Sequence, residues 1–159
     1  MLKLSTITVS SDESIKLGEK IASLLNGGEV IELASDVGGG KTTLTKGIAL
    51  GIGIESPVTS PTFTVSKVYN GSGLTLHHYD LYRLDDLGIM KEEIAEVVSD
   101  KDSIAVIEWA GLAEADLPKD KLIKIELYLI AENEEHRRVV LSLPDDYADW
   151  NNELELEVC

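Results

Sequence analysis

Residues 29–50, EVIELASDVGGGKTTLTKGIAL, decide what kind of fold this chain adopts. EVIEL is a short apolar run suited to a buried strand, and TLTKGIAL has helical spacing that turns Leu44, Ile48 and Leu50 inward. Between them, SDVGGGKT meets the pattern G-x-x-x-x-G-K-[ST] at every position but the first, where Ser35 stands for glycine. Strand, glycine-rich loop and helix in that order form the context in which this pattern cradles phosphate. Gly38, Gly39, Gly40 and Lys41 would aim backbone N–H groups inward, since glycine tolerates the φ values such a nest needs. Lys41 adds a fixed charge, Thr42 offers a hydroxyl to Mg²⁺ with Thr43 beside it, and the helix N-terminus contributes partial positive charge. Ser35 leaves open a plainer reading, a glycine-rich turn that only caps a helix.

Upstream, LKLSTITVS reads as a strand, and Ser10 with Glu13 three residues later starts a helix expected to reach about Asn26. Downstream, ESPVTSPTF crowds prolines and hydroxyl residues into an ordered loop. TVSKVYN and LTLHHYD read as an antiparallel hairpin turning at Asn70-Gly71. LDDLGIMKEEIAEVVSD suits a short surface helix. SIAVIEW is nearly all apolar, as a central strand of a mostly parallel sheet would be. KLIKIELYLI and RRVVLSL are two further strands separated by AENEEH. The tail, residues 144–159, is acidic and weakly patterned, a composition that favours disorder.

A chain of 159 residues with 43% hydrophobic content supports one domain, residues 1–143, followed by that tail. The single cysteine, Cys159, excludes an internal disulfide and a cysteine metal cluster and suits a reducing cytoplasm. No apolar run is long enough to span a bilayer. The net charge of −15 disfavours direct nucleic-acid binding in the absence of a basic patch. A nucleotide with its Mg²⁺ is a local site and escapes that argument.

Hydrolysis needs groups that place metal and water. Glu108 closes the apolar strand SIAVIE and is placed to hold Mg²⁺ or orient water. Asp80 closes LTLHHYD and is placed to share the metal. Thr62, in Ser60-Pro61-Thr62, follows the loop and its helix at the distance of a switch segment that would reach the terminal phosphate. A stiff connecting loop fits the same spacing. His78 shares a strand face with Asp80, although a structural role suits His77 and His78 better, and core packing suits Trp109. Arg83 is a candidate for neutralising phosphate charge, or for a surface ion pair.

Taken in order, GGGKTT, SPTFT, HHYDLYRL and VIEW resemble the TsaE family, and the resemblance extends over most of residues 5–143. It implies an α/β P-loop NTPase with a mostly parallel central sheet, flanking helices and antiparallel hairpin additions. It also implies a Mg²⁺-dependent ATPase, with ATP and Mg²⁺ as cofactors, working with TsaB and TsaD in the threonylcarbamoyladenosine modification of tRNA. ATP hydrolysis would remodel or reset that complex, and tRNA would be met only through it. By the same resemblance Lys41 and Thr42 hold phosphate and Mg²⁺, Glu108 ligates the metal, and Asp80 supports metal or nucleotide. Ser11 and the residues up to Ser14 would lie near the adenine, flanked by Arg137. The chain departs from the family in having Ser35 for its usual glycine, Gly39 where alanine is common, and no proline after Trp109.

The alternatives are a small-molecule or nucleotide kinase and a nucleotide-dependent switch that does not hydrolyse. A kinase of that kind usually carries an arginine-rich lid, whereas this chain has only Arg83, Arg137 and Arg138. That scarcity also favours an ATPase whose rate depends on partners.

Overall fold

The computed structural model describes residues 1–36, 38–61, 64–82 and 84–159. Its elements are β1 (Leu2–Thr8), α1 (Ser11–Ser23), β2 (Val30–Ala34), α2 (Lys41–Gly51), β3 (Ser66–Asn70), β4 (Thr75–Asp80), α3 (Met90–Ser99), β5 (Ser103–Glu108), β6 (Leu122–Ile130), β7 (Asn133–Leu143), α4 (Trp150–Leu154) and β8 (Glu157–Val158). One eight-stranded sheet runs in the order β3-β4-β5-β2-β6-β7-β1-β8. Only its middle is parallel, through the pairs β4 with β5, β5 with β2 and β2 with β6. The pairs β3 with β4, β6 with β7, β7 with β1 and β1 with β8 are antiparallel. The sheet is therefore mixed, which corrects the expectation of a mostly parallel one. The hairpins β3 to β4 and β6 to β7, which return directly, are the expected antiparallel additions; the rest of the difference comes from β1 lying antiparallel beside β7 and β8 beside β1.

Alternation along the central strands divides the core. Ile31, Leu33, Ile104 and Val106 join Ile21 of α1 and Leu44 and Ile48 of α2 in the larger cluster. Their neighbours Val30, Ala105 and Ile107 turn the other way and meet Ile94 and Val97 of α3. Both faces of β5 are thus covered, and all six of its residues are buried. Fully burying side chains of this size contributes about 1.5–3 kcal/mol each. Leu50 takes no part, being 54% exposed.

Local chemistry sets the helix limits. Ser10 is extended and its Oγ accepts from the Glu13 N–H, while Glu13 Oε2 accepts from the Val9 N–H at 2.7 Å. At the other end α1 stops at Ser23, short of Asn26, because the Glu29 carboxylate takes the N–H groups of Asn26 and Gly27 at 2.9 and 2.7 Å. The surface helix begins only at Met90, after Gly88 at φ +53. Likewise β3 starts at Ser66, because Val65 takes φ +65. α1 and α2 approach so closely that a Cβ on Gly47 would lie 2.2 Å from the Ile15 carbonyl oxygen.

The acidic tail is ordered, contrary to what its composition suggests. β8 pairs with the edge of β1, and Trp150 and Leu154 enter the larger core cluster. Tyr147 meets the Trp150 ring edge-on, with centroids 5.3 Å apart. Burial and the neighbouring Glu29 carboxylate push the Tyr147 phenol up to about 12. A few large apolar residues spaced among carboxylates are enough to dock the segment.

Candidate functional site

The carboxyl ends of β2, β4 and β5 converge on one edge of the sheet, where ligands bind in open α/β folds. Parallel pairing sets Asp80 of β4 in register with Glu108 of β5, and Glu108 in register with Leu33 of β2. The glycine-rich loop leaves β2 at the same edge. Together they line a cavity of about 430 Å³ bounded by Gly38, Gly39, Gly40, Lys41, Thr42, Thr43, Ser60, Asp80, Tyr82, Glu108 and Trp109. Nine of these eleven were legible in the sequence as parts of the loop, the hydroxyl segment or the strand ends. Tyr82 was not singled out there, and Trp109 was assigned to core packing.

The loop turns sharply into α2. Gly38 and Gly40 take φ +80 and +100, the left-handed conformations that glycine was expected to supply. Ser35 needs no such conformation, because the described non-glycine residues at positive φ are Val65, Trp109 and Glu155. The Ser35 hydroxyl donates to the Asp36 carbonyl at 2.8 Å, and the Gly39 N–H closes the turn on the same oxygen at 3.0 Å. The Lys41 ammonium donates to the Ser35 carbonyl at 3.3 Å and lies 4.7 Å from the centre of the Trp109 ring.

Trp109 corrects the core-packing expectation. It is 39% exposed and takes a left-handed conformation, φ +58 and ψ +50, immediately after β5. That turn lifts the indole out of the sheet and across Lys41, where Tyr82 packs on it with ring centroids 4.8 Å apart. Lys41 and Trp109 are also shared with a second cavity of about 220 Å³ that includes Ser35, Ala110 and Gly111.

The two carboxylates are held differently. Asp80 Oδ1 accepts from the Tyr82 N–H at 3.1 Å. Glu108 is buried and its Oε2 lies 3.1 Å from Nε2 of His78, which is wholly buried. His77 points to the other side of β4, 3.3 Å from Ser103 Oγ. Burial holds the His77 imidazole below its ordinary range.

The remaining candidates lie outside the cavity lining or outside the description. Ser11 is exposed at the start of α1, near the buried hydrogen bond between Thr8 and Ser14. Arg137 donates through Nε to the Gly39 carbonyl at 3.1 Å and through its terminal nitrogen to the carbonyls of Glu134 and His136. It braces the backbone of the glycine-rich loop. Thr62 and Arg83 lie outside the described residues. Ser60, before Thr62, does line the cavity, and Thr59 is anchored by hydrogen bonds with Lys67 and Tyr69.

Among the described residues no cluster of three or more His, Cys, Asp and Glu is placed to hold a metal ion. No described helix is long and apolar enough to cross a membrane. With two carboxylates and the Thr42 hydroxyl as the candidate protein ligands at the cavity, a hard cation would need further oxygen ligands from phosphate and water, as Mg²⁺ commonly takes them.

Comparisons with known proteins give the family and the fold. The family described as "Threonylcarbamoyl adenosine biosynthesis protein TsaE" matches residues 8–139. The chain is 38% identical over 126 residues to the tRNA threonylcarbamoyladenosine biosynthesis protein TsaE of Bacillus subtilis (strain 168), covering 77% of this chain and 76% of that one. It is 36% identical over 135 residues to the protein of the same name from Aquifex aeolicus (strain VF5), covering 84% and 92%. Its fold matches the crystal structure of YdiB from Bacillus subtilis with a TM-score of 0.77 at 30% identity, covering 98% of this chain and 96% of that one.

Proposed function

Since the chain belongs to the TsaE family, we propose that it serves tRNA threonylcarbamoyladenosine biosynthesis as a Mg²⁺-dependent P-loop ATPase. The observation that carries this reading is the convergence of the glycine-rich loop, Lys41 and Thr42 with Asp80 and Glu108 on one cavity. That donor set fits a nucleotide triphosphate with its metal. Backbone N–H groups and the Lys41 ammonium face anionic oxygens, while the Thr42 hydroxyl and the two carboxylates suit a hard cation.

When bound, Mg²⁺ would neutralise phosphate charge and orient the terminal phosphoryl group. The chain does the rest. Gly38 to Lys41 and the N-terminus of α2 bind and align the phosphates. Glu108, Asp80 and Thr42 would hold the ion, and Glu108 would also orient the attacking water. Lys41 would exchange the Ser35 carbonyl and the Trp109 face for phosphate oxygens, so the loop is ready for ligand without a large rearrangement. Thr62 would sense the terminal phosphate from the hydroxyl segment. Ser11 and Arg137 are proposed at the nucleoside end, where Arg137 would also steady Gly39.

The net charge of −15 favours protein partners resembling TsaB and TsaD over direct contact with tRNA. Hydrolysis would drive or reset that complex. Phosphate release from ATP and Mg²⁺, measured with and without such partners for wild type and Glu108→Ala, tests the reading. Stimulated release that falls at least tenfold in the variant supports it. Binding of ATP without any phosphate release, partners present, makes the protein a non-hydrolysing switch instead.

A further inference from the structure

Beneath the cavity, His78 has a placement that core packing does not explain. It sits two residues before Asp80 on β4, pairs in register with Val106, and lies diagonally across the strands from Glu108. Its side chain is 0% exposed, that of Glu108 is 3% exposed, and their Nε2 and Oε2 atoms are 3.1 Å apart. With Glu108 as a carboxylate, which only accepts, this contact is a hydrogen bond when the imidazole carries its hydrogen on Nε2. The other ring nitrogen, Nδ1, is buried without a hydrogen-bond partner. Leaving a buried polar atom unpaired is destabilising. A leucine would fill the same space without that cost. The hydrogen-bonding partner of the imidazole among the described residues is Glu108.

We propose that His78 is a positioning residue for Glu108: it grips Oε2, fixes the plane of the carboxylate and turns Oε1 to the cavity. The proposal rests on the reading of Glu108 as a metal and water ligand. Groups that orient ligating side chains typically change metal affinity or activity 10- to 100-fold when removed. Among the described residues His78 is the one side chain hydrogen-bonded to Glu108.

The test compares wild type, His78→Leu, His78→Gln, Glu108→Gln and the double variant His78→Leu/Glu108→Gln. Titration calorimetry gives ATP affinity with and without Mg²⁺, and phosphate release gives the rate. Leucine keeps the volume and loses the donor, whereas glutamine places an amide N–H near the position of Nε2. The expected result is that His78→Leu cuts the Mg²⁺-dependent gain in ATP affinity at least tenfold and leaves metal-free affinity within twofold. His78→Gln stays within threefold of wild type, and His78→Leu adds nothing in the Glu108→Gln background. A His78→Leu protein with a normal Mg²⁺ response, or one that loses metal-free affinity equally, overturns the proposal. So does a glutamine variant as impaired as the leucine one. If the leucine variant does not fold, His78→Asn replaces it, since its amide reaches only the Nδ1 position, and the same gap from glutamine is required. An unaltered Glu108→Gln overturns the Glu108 reading and the proposal together, whereas an unaltered His78→Leu beside a defective Glu108→Gln overturns the proposal alone.

Discussion

Ser35 and Gly39 compete for one volume in the loop: a Cβ on Gly39 would lie 2.3 Å from Ser35 Oγ and 2.6 Å from Ser35 Cβ. The departures from the family pattern at 35 and 39 are therefore one feature. A side chain at 35 requires its absence at 39. Gly39→Ala should destabilise the loop by about 1–3 kcal/mol, the usual range for overpacking. It should also weaken ATP binding in proportion. Ser35→Gly/Gly39→Ala should recover part of that loss, the Asp36 carbonyl oxygen still lying 2.9 Å from the added Cβ. A double variant no better than Gly39→Ala in titration calorimetry would refute the exchange.

Lys41 is placed by the Ser35 carbonyl and the Trp109 ring before any ligand arrives. Lys41→Ala should lower ATP affinity at least tenfold, about 1.4 kcal/mol. Unchanged affinity would sink the phosphate-loop assignment.

Trp109 combines a ring contact with a left-handed backbone, φ +58. Its replacement separates the two. Trp109→Ala removes the ring and keeps the unfavourable conformation, while Trp109→Gly removes both. The glycine variant should be the more stable by about 1 kcal/mol, the order of the left-handed penalty. Urea unfolding of the two variants measures the difference, and equal midpoints would show that the turn carries no such penalty.

The tail supplies core. Trp150 is 7% exposed and packs with the larger cluster. Trp150→Ala should cost about 3–5 kcal/mol, as for other buried aromatic truncations. A disordered tail predicts no change in the urea midpoint, so the measurement discriminates cleanly.

Glu32, in the strand that feeds the loop, is buried on the side opposite Leu33, and burial raises its carboxyl above the ordinary range, with Lys124 opposing that shift. The folded state then binds more protons than the unfolded state between the ordinary and raised values. Stability falls as pH rises through that window. Glu32→Gln should therefore melt higher than wild type at neutral pH, with the difference vanishing below the ordinary carboxylate range. Melting curves from pH 4 to 8 read the trend; a constant difference would exclude Glu32 as its source.

The local motifs were legible in sequence because they are short-range. Strand, glycine loop and helix are consecutive, the Ser10 cap lies beside its helix, and the hairpin around Asn70-Gly71 closes on neighbours. Asp80 and Glu108 could be marked as strand-end acids, but their adjacency is a matter of register between strands 28 residues apart. That register was decided by how β4, β5 and β2 bury both faces at once. The tail shows the same limit from the other side: its charge is a property of composition, while the docking of Trp150 depends on the larger core cluster, which distant elements build together. Trp109 and His78 were misjudged or underused for one reason. A residue's type states what it can do, and only the packed sheet decides which way it faces: the indole outward over Lys41, the imidazole inward against Glu108.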